Sequence, residues 1–195
     1  MSRLGVFSIE GEWRPHQPGT RETVKSFLTV LEDLGDIEWF HRDAATRAEV
    51  NHLLDRWAGH GTDKLRSYNQ YNVLYLSFHG EQGRIWIPAE HATLSLTQLA
   101  TRLAGGCKGK IVHFGSCHVL DVDRARIAAF RKKTGARLVS GYSRNVNWVE
   151  SAALDMLLLS YLADERTDAR AVKRLRRRNP VLVEELGFVT EPAYD

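Results

Sequence analysis

A chain of 195 residues, 43% of them hydrophobic, can bury one core and is too short for two ordinary domains without a visible linker, so a single domain over residues 1–195 is expected. The formal net charge of +3 is small, and much of the basic excess sits in one cluster, Lys173, Arg174, Arg176, Arg177 and Arg178, so nucleic acid is not the leading partner. The longest apolar stretch, Met156 to Leu162 with Ser160 inside it, is far below the roughly 20 residues of a membrane span.

Met1 to Gly5 passes directly into a strand-like run, Leu4–Ile9, with no basic-then-apolar leader, which sets the expectation of a cytoplasmic protein. Glu10-Gly11-Glu12-Trp13 follows that run and is placed to border a cleft at the sheet edge. Thr20–Leu34 then carries Val24, Phe27, Leu28 and Leu31 at helical spacing. A second strand is expected at Asp36–His41. Thr46–Trp57 repeats the helical pattern with Val50, Leu53, Leu54 and Trp57, and Thr46 with Glu49 forms a capping-box start. The least patterned segment, Gly59–Gln70, reads as a loop.

Further strands fit Asn72–Phe78, Arg84–Pro88, Ile111–Gly115, Arg137–Gly141 and Phe188–Thr190, and helices fit Ser95–Leu103, Val122–Thr134, Trp148–Ala163 and Ala169–Arg178. The arginine run at 174–178 then falls at a helix C-terminus, where the dipole favours cations; an oligomeric or other protein contact is its sharper use. Alternation of apolar runs with amphipathic helices predicts an α/β fold, a three-layer α/β/α sandwich with a mostly parallel central sheet. Val73-Leu74-Tyr75-Leu76 and Ile111-Val112-His113-Phe114 are apolar almost throughout and belong in the sheet centre, covered on both faces. His113, inside such a strand, reads as a hydrogen-bonded core residue. His16, His41, His52, His60 and His91 have no partner that spacing identifies.

In an open α/β sheet, catalysts gather at the carboxyl ends of the strands. One of the two central ends carries Ser77-Phe78-His79-Gly80 and the other Gly115-Ser116-Cys117-His118. The two cysteines, Cys107 and Cys117, flank the second strand and lie too far apart to bridge at ~3.3 Å of rise per residue, so both are expected as free thiols. A cysteine nucleophile needs a base or ion-pair partner to supply thiolate, and its tetrahedral intermediate needs backbone N–H donors. His79 and Cys117 on adjacent strand ends meet the first need. Gly80, with no Cβ to block approach, and the amide of Cys117 meet the second.

An apolar strand ending in His-Gly, followed by a second apolar strand ending in a small residue and Cys, resembles the caspase-hemoglobinase peptidases. Ser116-Cys117-His118 is similar to the Ser-Cys-His of metacaspases, and Leu138–Ala153 resembles the post-cysteine strand and specificity loop of metacaspases and CHAT-type peptidases. Gly115 stands where metacaspases usually carry Asp, and Val119-Leu120 where they carry Ser-Gly. The resemblance covers about Leu4 to Leu162 and implies a caspase-like fold, endopeptidase activity on a protein or peptide substrate, a His79–Cys117 dyad, and no required cofactor. It also implies that the loop Ser140–Glu150 lines the primary specificity pocket, with Arg144, Asn145, Asn147 and Glu150 as substrate-binding residues. An arginine at 144 selects an acidic side chain and a carboxylate at 150 selects Lys or Arg; Arg144 is weighted above Glu150, which as a carboxylate at a helix start has a structural use of its own.

Rival chemistries fit less well. A cysteine phosphatase loop requires Arg six positions after the cysteine, where Asp123 stands. A glutamine amidotransferase elbow requires Gly at Val119 and a histidine downstream, yet His118 is the last histidine. His79, Cys107, His113, Cys117 and His118 show no paired ligand spacing for zinc, so no metal is expected. Two alternatives remain open: a catalytically silent caspase-like interaction module, and a cysteine hydrolase of small amides.

Overall fold

The computed structural model describes residues 3–13, 22–60 and 68–194. His16 and the expected helix start at Thr20 lie outside these residues, as does most of the loop expected at Gly59–Gln70. Nine strands and seven α-helices are described. The strands are β1 (Leu4–Glu10), β2 (Ile37–Asp43), β3 (Val73–Ser77), β4 (Gly80–Glu81), β5 (Arg84–Ile87), β6 (Ala92–Ser95), β7 (Ile111–Phe114), β8 (Leu138–Tyr142) and β9 (Phe188–Glu191). The helices are α1 (Lys25–Asp33), α2 (Arg47–Ala58), α3 (Leu96–Arg102), α4 (Arg124–Thr134), α5 (Trp148–Asp164), α6 (Asp168–Arg178) and α7 (Pro180–Glu185).

Six strands form the central sheet in the order β2-β1-β3-β7-β8-β9, all parallel except β9. Along β1, β3 and β7 every residue is buried, because helices cover both faces. Alternation with period two sends successive side chains into different cores. Phe7, Ile9, Leu74, Leu76, Val112 and Phe114 meet α2, α3 and α4 on one face. Val6, Val73, Tyr75 and Ile111 meet α1, α5, α6 and α7 on the other. Each fully buried Leu, Ile or Phe in these layers contributes roughly 1.5–3 kcal/mol, and truncating one such as Leu74 to Ala costs roughly 2–5 kcal/mol.

Local chemistry sets the helix starts. The Thr46–Glu49 capping box forms as expected, with Glu49 N donating to Thr46 Oγ1 at 3.2 Å and Thr46 N donating to Glu49 at 2.9 Å. Asp123 caps α4 through the Arg126 amide and Thr167 caps α6 through the Arg170 amide, so these helices begin at Arg124 and Asp168. The expected strand at Arg84–Pro88 is present as β5 but pairs antiparallel with β4 and β6 in a separate three-stranded sheet. No helix among the described residues is long and apolar enough to cross a membrane.

Candidate active site

Strands β3 and β7 are adjacent, parallel and in register from Val73↔Ile111 to Leu76↔Phe114, so their carboxyl ends emerge side by side. Ser116 fastens the two ends together. Its buried hydroxyl accepts from the Phe78 amide at 3.0 Å and donates to the Leu76 carbonyl at 3.3 Å, while Gly115 N donates to the same carbonyl at 2.9 Å. A Cβ on Gly80 would stand 2.1 Å from the Cys117 carbonyl oxygen, so only glycine lets the turn after His79 lie against the backbone of Cys117. Past the cysteine the chain reverses through His118, which holds a left-handed conformation at φ 53°.

His79 and Cys117 both line one cleft of about 410 Å³. The thiol is half-buried. Among the described residues its hydrogen-bond partners are both on Val146, whose amide donates to Sγ at 3.4 Å and whose carbonyl lies 3.8 Å from Sγ. His79 Nε2 sits 2.5 Å from the Trp13 carbonyl oxygen. A carbonyl only accepts, so Nε2 carries the ring proton and Nδ1 is left with the lone pair a base requires. The indole of Trp13 lies edge-on to the imidazole with centroids 5.2 Å apart, and Trp86 flanks it at 5.9 Å.

Trp13 is in turn held by Glu10 at the end of β1. This carboxylate is 3% exposed and accepts from Trp13 Nε1 at 2.7 Å, Thr23 Oγ1 at 2.6 Å and Val24 N at 3.1 Å. Of the Glu10–Trp13 segment expected to border the cleft, Trp13 lines it, and Glu10 stands behind Trp13. His41 Nε2 lies 3.6 Å from Glu10 and 2.9 Å from Asp43, which also meets Lys25 Nζ at 3.2 Å. Glu10, His41 and Asp43 have ligand atoms close enough to share a cation, but the Lys25 ammonium and the three donors on Glu10 already serve their charge.

Of the specificity-loop residues, Asn145 and Asn147 line the cleft. Asn147 also caps α5, its Oδ1 accepting from Val149 N at 2.9 Å and Glu150 N at 3.4 Å. Arg144 does not line the cleft. Its guanidinium donates to the Glu184 carbonyl at 2.8 Å, at the end of α7, and so turns away from the thiol. Glu150 is exposed on the first turn of α5 and is not part of the lining either, so the helix-start use of that carboxylate is the one the fold employs.

The acid that does reach the cleft is Asp155, two turns into α5 and 2% exposed. It accepts from Tyr142 Oη at 2.6 Å and from Tyr75 Oη in a shorter contact. Burial and the negative charge of Asp155 push both phenols well above their ordinary range, so they stay protonated and donate. His113 Nδ1 pairs with Ser140 Oγ at 2.9 Å, while its Nε2 comes within 2.9 Å of Asp155 Oδ1 without hydrogen-bond alignment. Gly115 has no side chain because Tyr75 needs the room: a Cβ there would stand 2.2 Å from the phenol oxygen.

A family model described as "Family of unknown function (DUF6642)" matches residues 6–190. The chain belongs to this family. The match spans β1 to β9, so the DUF6642 region includes both strand ends that carry His79 and Cys117. Comparison with curated proteins finds no match.

Proposed function

We propose that this chain is a caspase-like cysteine endopeptidase with a His79–Cys117 dyad. The observation that carries the reading is the placement of a half-buried thiol and an imidazole on one cleft, at the ends of adjacent parallel strands, with the imidazole's Nε2 tied to the Trp13 carbonyl. That tie leaves Nδ1 to take the proton of Cys117. The thiolate attacks the peptide carbonyl carbon, forming a C–S bond, and the oxyanion is met by the amides of Gly80 and Cys117. His79 then passes the proton to the leaving amine as the C–N bond breaks. Water hydrolyses the thioester with His79 again as base and restores the thiol. In the resting site the Val146 amide donates to Sγ at 3.4 Å. No step calls for a metal or redox cofactor.

Alkylation by iodoacetamide, read by intact mass and peptide mapping, tests the reading. Cys117 is expected to react first and Cys107 only after unfolding, and His79→Ala is expected to slow Cys117 labelling and to lower kcat on a peptide library by at least about 10²-fold. Slow labelling of Cys117 that His79→Ala leaves unchanged would favour a non-catalytic caspase-like module whose groove only binds partners.

A further inference from the structure

We propose that the inner end of the cleft is a pocket for a cationic side chain, Lys or Arg, selected by Asp155. The proposal rests on the peptidase reading of the same site and adds its substrate class. It reverses the preference for acidic side chains that Arg144 suggests from sequence.

The first argument is charge. Among the described residues lining the cleft, the charged groups are Glu22 and Asp155, and none is Lys or Arg. Asp155 is the deep one, 2% exposed; it accepts from the Tyr75 and Tyr142 phenols, and the His113 ring nitrogen lies 2.9 Å away. An acidic ligand there meets a buried carboxylate with no Lys or Arg lining the cleft to offset it, whereas an ammonium or guanidinium brings the opposite charge.

The second argument is hydrogen-bond direction. A phenol has one proton, and Tyr75 gives its own to Asp155, so its oxygen presents only lone pairs to anything else in the cleft. Ser77, two residues along β3 and therefore on the same face, is 1% exposed, lines the cleft, and has a buried hydroxyl with no partner. A buried hydroxyl without a partner costs roughly 1–3 kcal/mol, and a ligand reaching it removes that cost. The inner end thus offers two acceptors that lack a donor, Tyr75 Oη and Ser77 Oγ, beside a carboxylate. Lys brings three donors and Arg five, and neither brings an acceptor.

The third argument is shape. Val24 and Phe27, both buried, wall the approach and suit the methylene stem of a long cationic side chain, with its charged head at the floor. The cleft volume of about 410 Å³ falls within the range of ligand sites, roughly 300–1,000 Å³.

Two measurements on the full chain test the proposal. Peptides with Lys, Arg, Asp, Glu, Ala or Leu before the scissile bond are scored for kcat/KM. Separately, agmatine or glutarate competes with iodoacetamide for Cys117. Cleavage after Lys or Arg is expected to exceed the other residues by about 10²-fold or more, and agmatine alone is expected to protect the thiol. Asp155→Asn should remove most of that preference. Because Asp155 also braces two tyrosines, folding of this variant is checked by circular dichroism, and Ser77→Ala, a smaller change, should weaken cleavage after Lys or Arg several-fold. Hydrolysis after acidic or uncharged residues at comparable rates overturns the pocket and leaves the peptidase. Agmatine protection without hydrolysis of any peptide overturns the peptidase and leaves the pocket. Absence of both removes the pocket.

Discussion

Cys107 and Cys117 stand at opposite ends of β7, ten residues apart, and the fold treats them in opposite ways. On the amino side, Cys107 is completely buried beneath α2 and α3, with the Leu103 carbonyl 3.8 Å from its sulfur. Burial pushes its thiol up to about 12, and the nearby Lys110 ammonium and Thr134 hydroxyl offset only part of that rise. On the carboxyl side, Cys117 is half-buried and opens onto a cleft that also holds an imidazole with a defined tautomer. The residue type is the same; the end of the strand decides its chemistry. Core residues of the flanking helices enclose Cys107, while Trp13, His79 and Cys117, beyond the carboxyl ends of β1, β3 and β7, line one cleft.

The largest expected effect breaks or upholds this contrast directly. Cys117→Ala should lower peptide hydrolysis at least about 10³-fold, and its half-exposed site predicts a stability change within about 1 kcal/mol. Cys107→Ala should do the reverse, leaving hydrolysis intact and costing about 1–2 kcal/mol in urea unfolding through lost packing. Equal loss of activity in both variants would mean that the two ends are not distinct.

A smaller effect is expected at Glu10, which acts on the carboxyl end through Trp13. Glu10→Gln keeps the volume but replaces a charged acceptor by a neutral amide, so the Trp13 and Val24 N–H groups keep a weaker acceptor and the Thr23 hydroxyl must turn to accept from the new NH2. The Trp13 carbonyl should then hold His79 less firmly. About a 10-fold fall in kcat with little change in KM is expected, together with a shifted pH–rate profile. A variant with raised KM and unchanged kcat would place Glu10 in the cleft wall rather than behind the imidazole.

The sheet was readable because its central strands are buried on both faces and so appear as apolar runs, as in Val73–Leu76 and Ile111–Phe114. The β4-β5-β6 sheet was not, since strands of two to four residues carry too little pattern to reveal which partners they take. Helix α7 carries little sequence signal, because six residues beginning at Pro180 give barely two turns of periodicity. The position of Arg144 is hidden with it, since the carbonyl that Arg144 meets belongs to α7. His79 and Cys117 were legible because each follows an apolar strand directly. The contribution of Trp13 to His79 is a backbone carbonyl, which no side-chain pattern encodes. Asp155 had a faint signal, a lone acid in the apolar run Ala152–Leu159, but its partner Tyr75 lies 80 residues away. A buried carboxylate in such a run needs donors from elsewhere, and that requirement alone points to a polar site.

The smallest expected effect concerns alkaline pH and the amino end of β7. An ordinary thiol in the unfolded chain titrates near 9.0, whereas folded Cys107 titrates at about 12. Below both values each state keeps its proton and Cys107 adds no pH dependence. Between them the unfolded state releases its proton and the folded state does not, so unfolding is favoured and stability falls as pH rises, by at most about 1.4 kcal/mol per pH unit. Lys110 works in the other direction. Burial holds its ammonium below 10.5, so between its folded and unfolded values the unfolded state binds more protons and stability rises with pH. The two slopes oppose each other wherever their windows overlap, which makes the wild-type decline shallow and the variants informative. Urea midpoints measured from about pH 8 to about pH 11 should fall for wild type and for Cys117→Ala alike, and should fall less or turn upward for Cys107→Ala. Identical alkaline slopes in wild type and Cys107→Ala would show that the Cys107 thiol titrates as freely as one in solution, and the proposed inertness of the amino end would be lost.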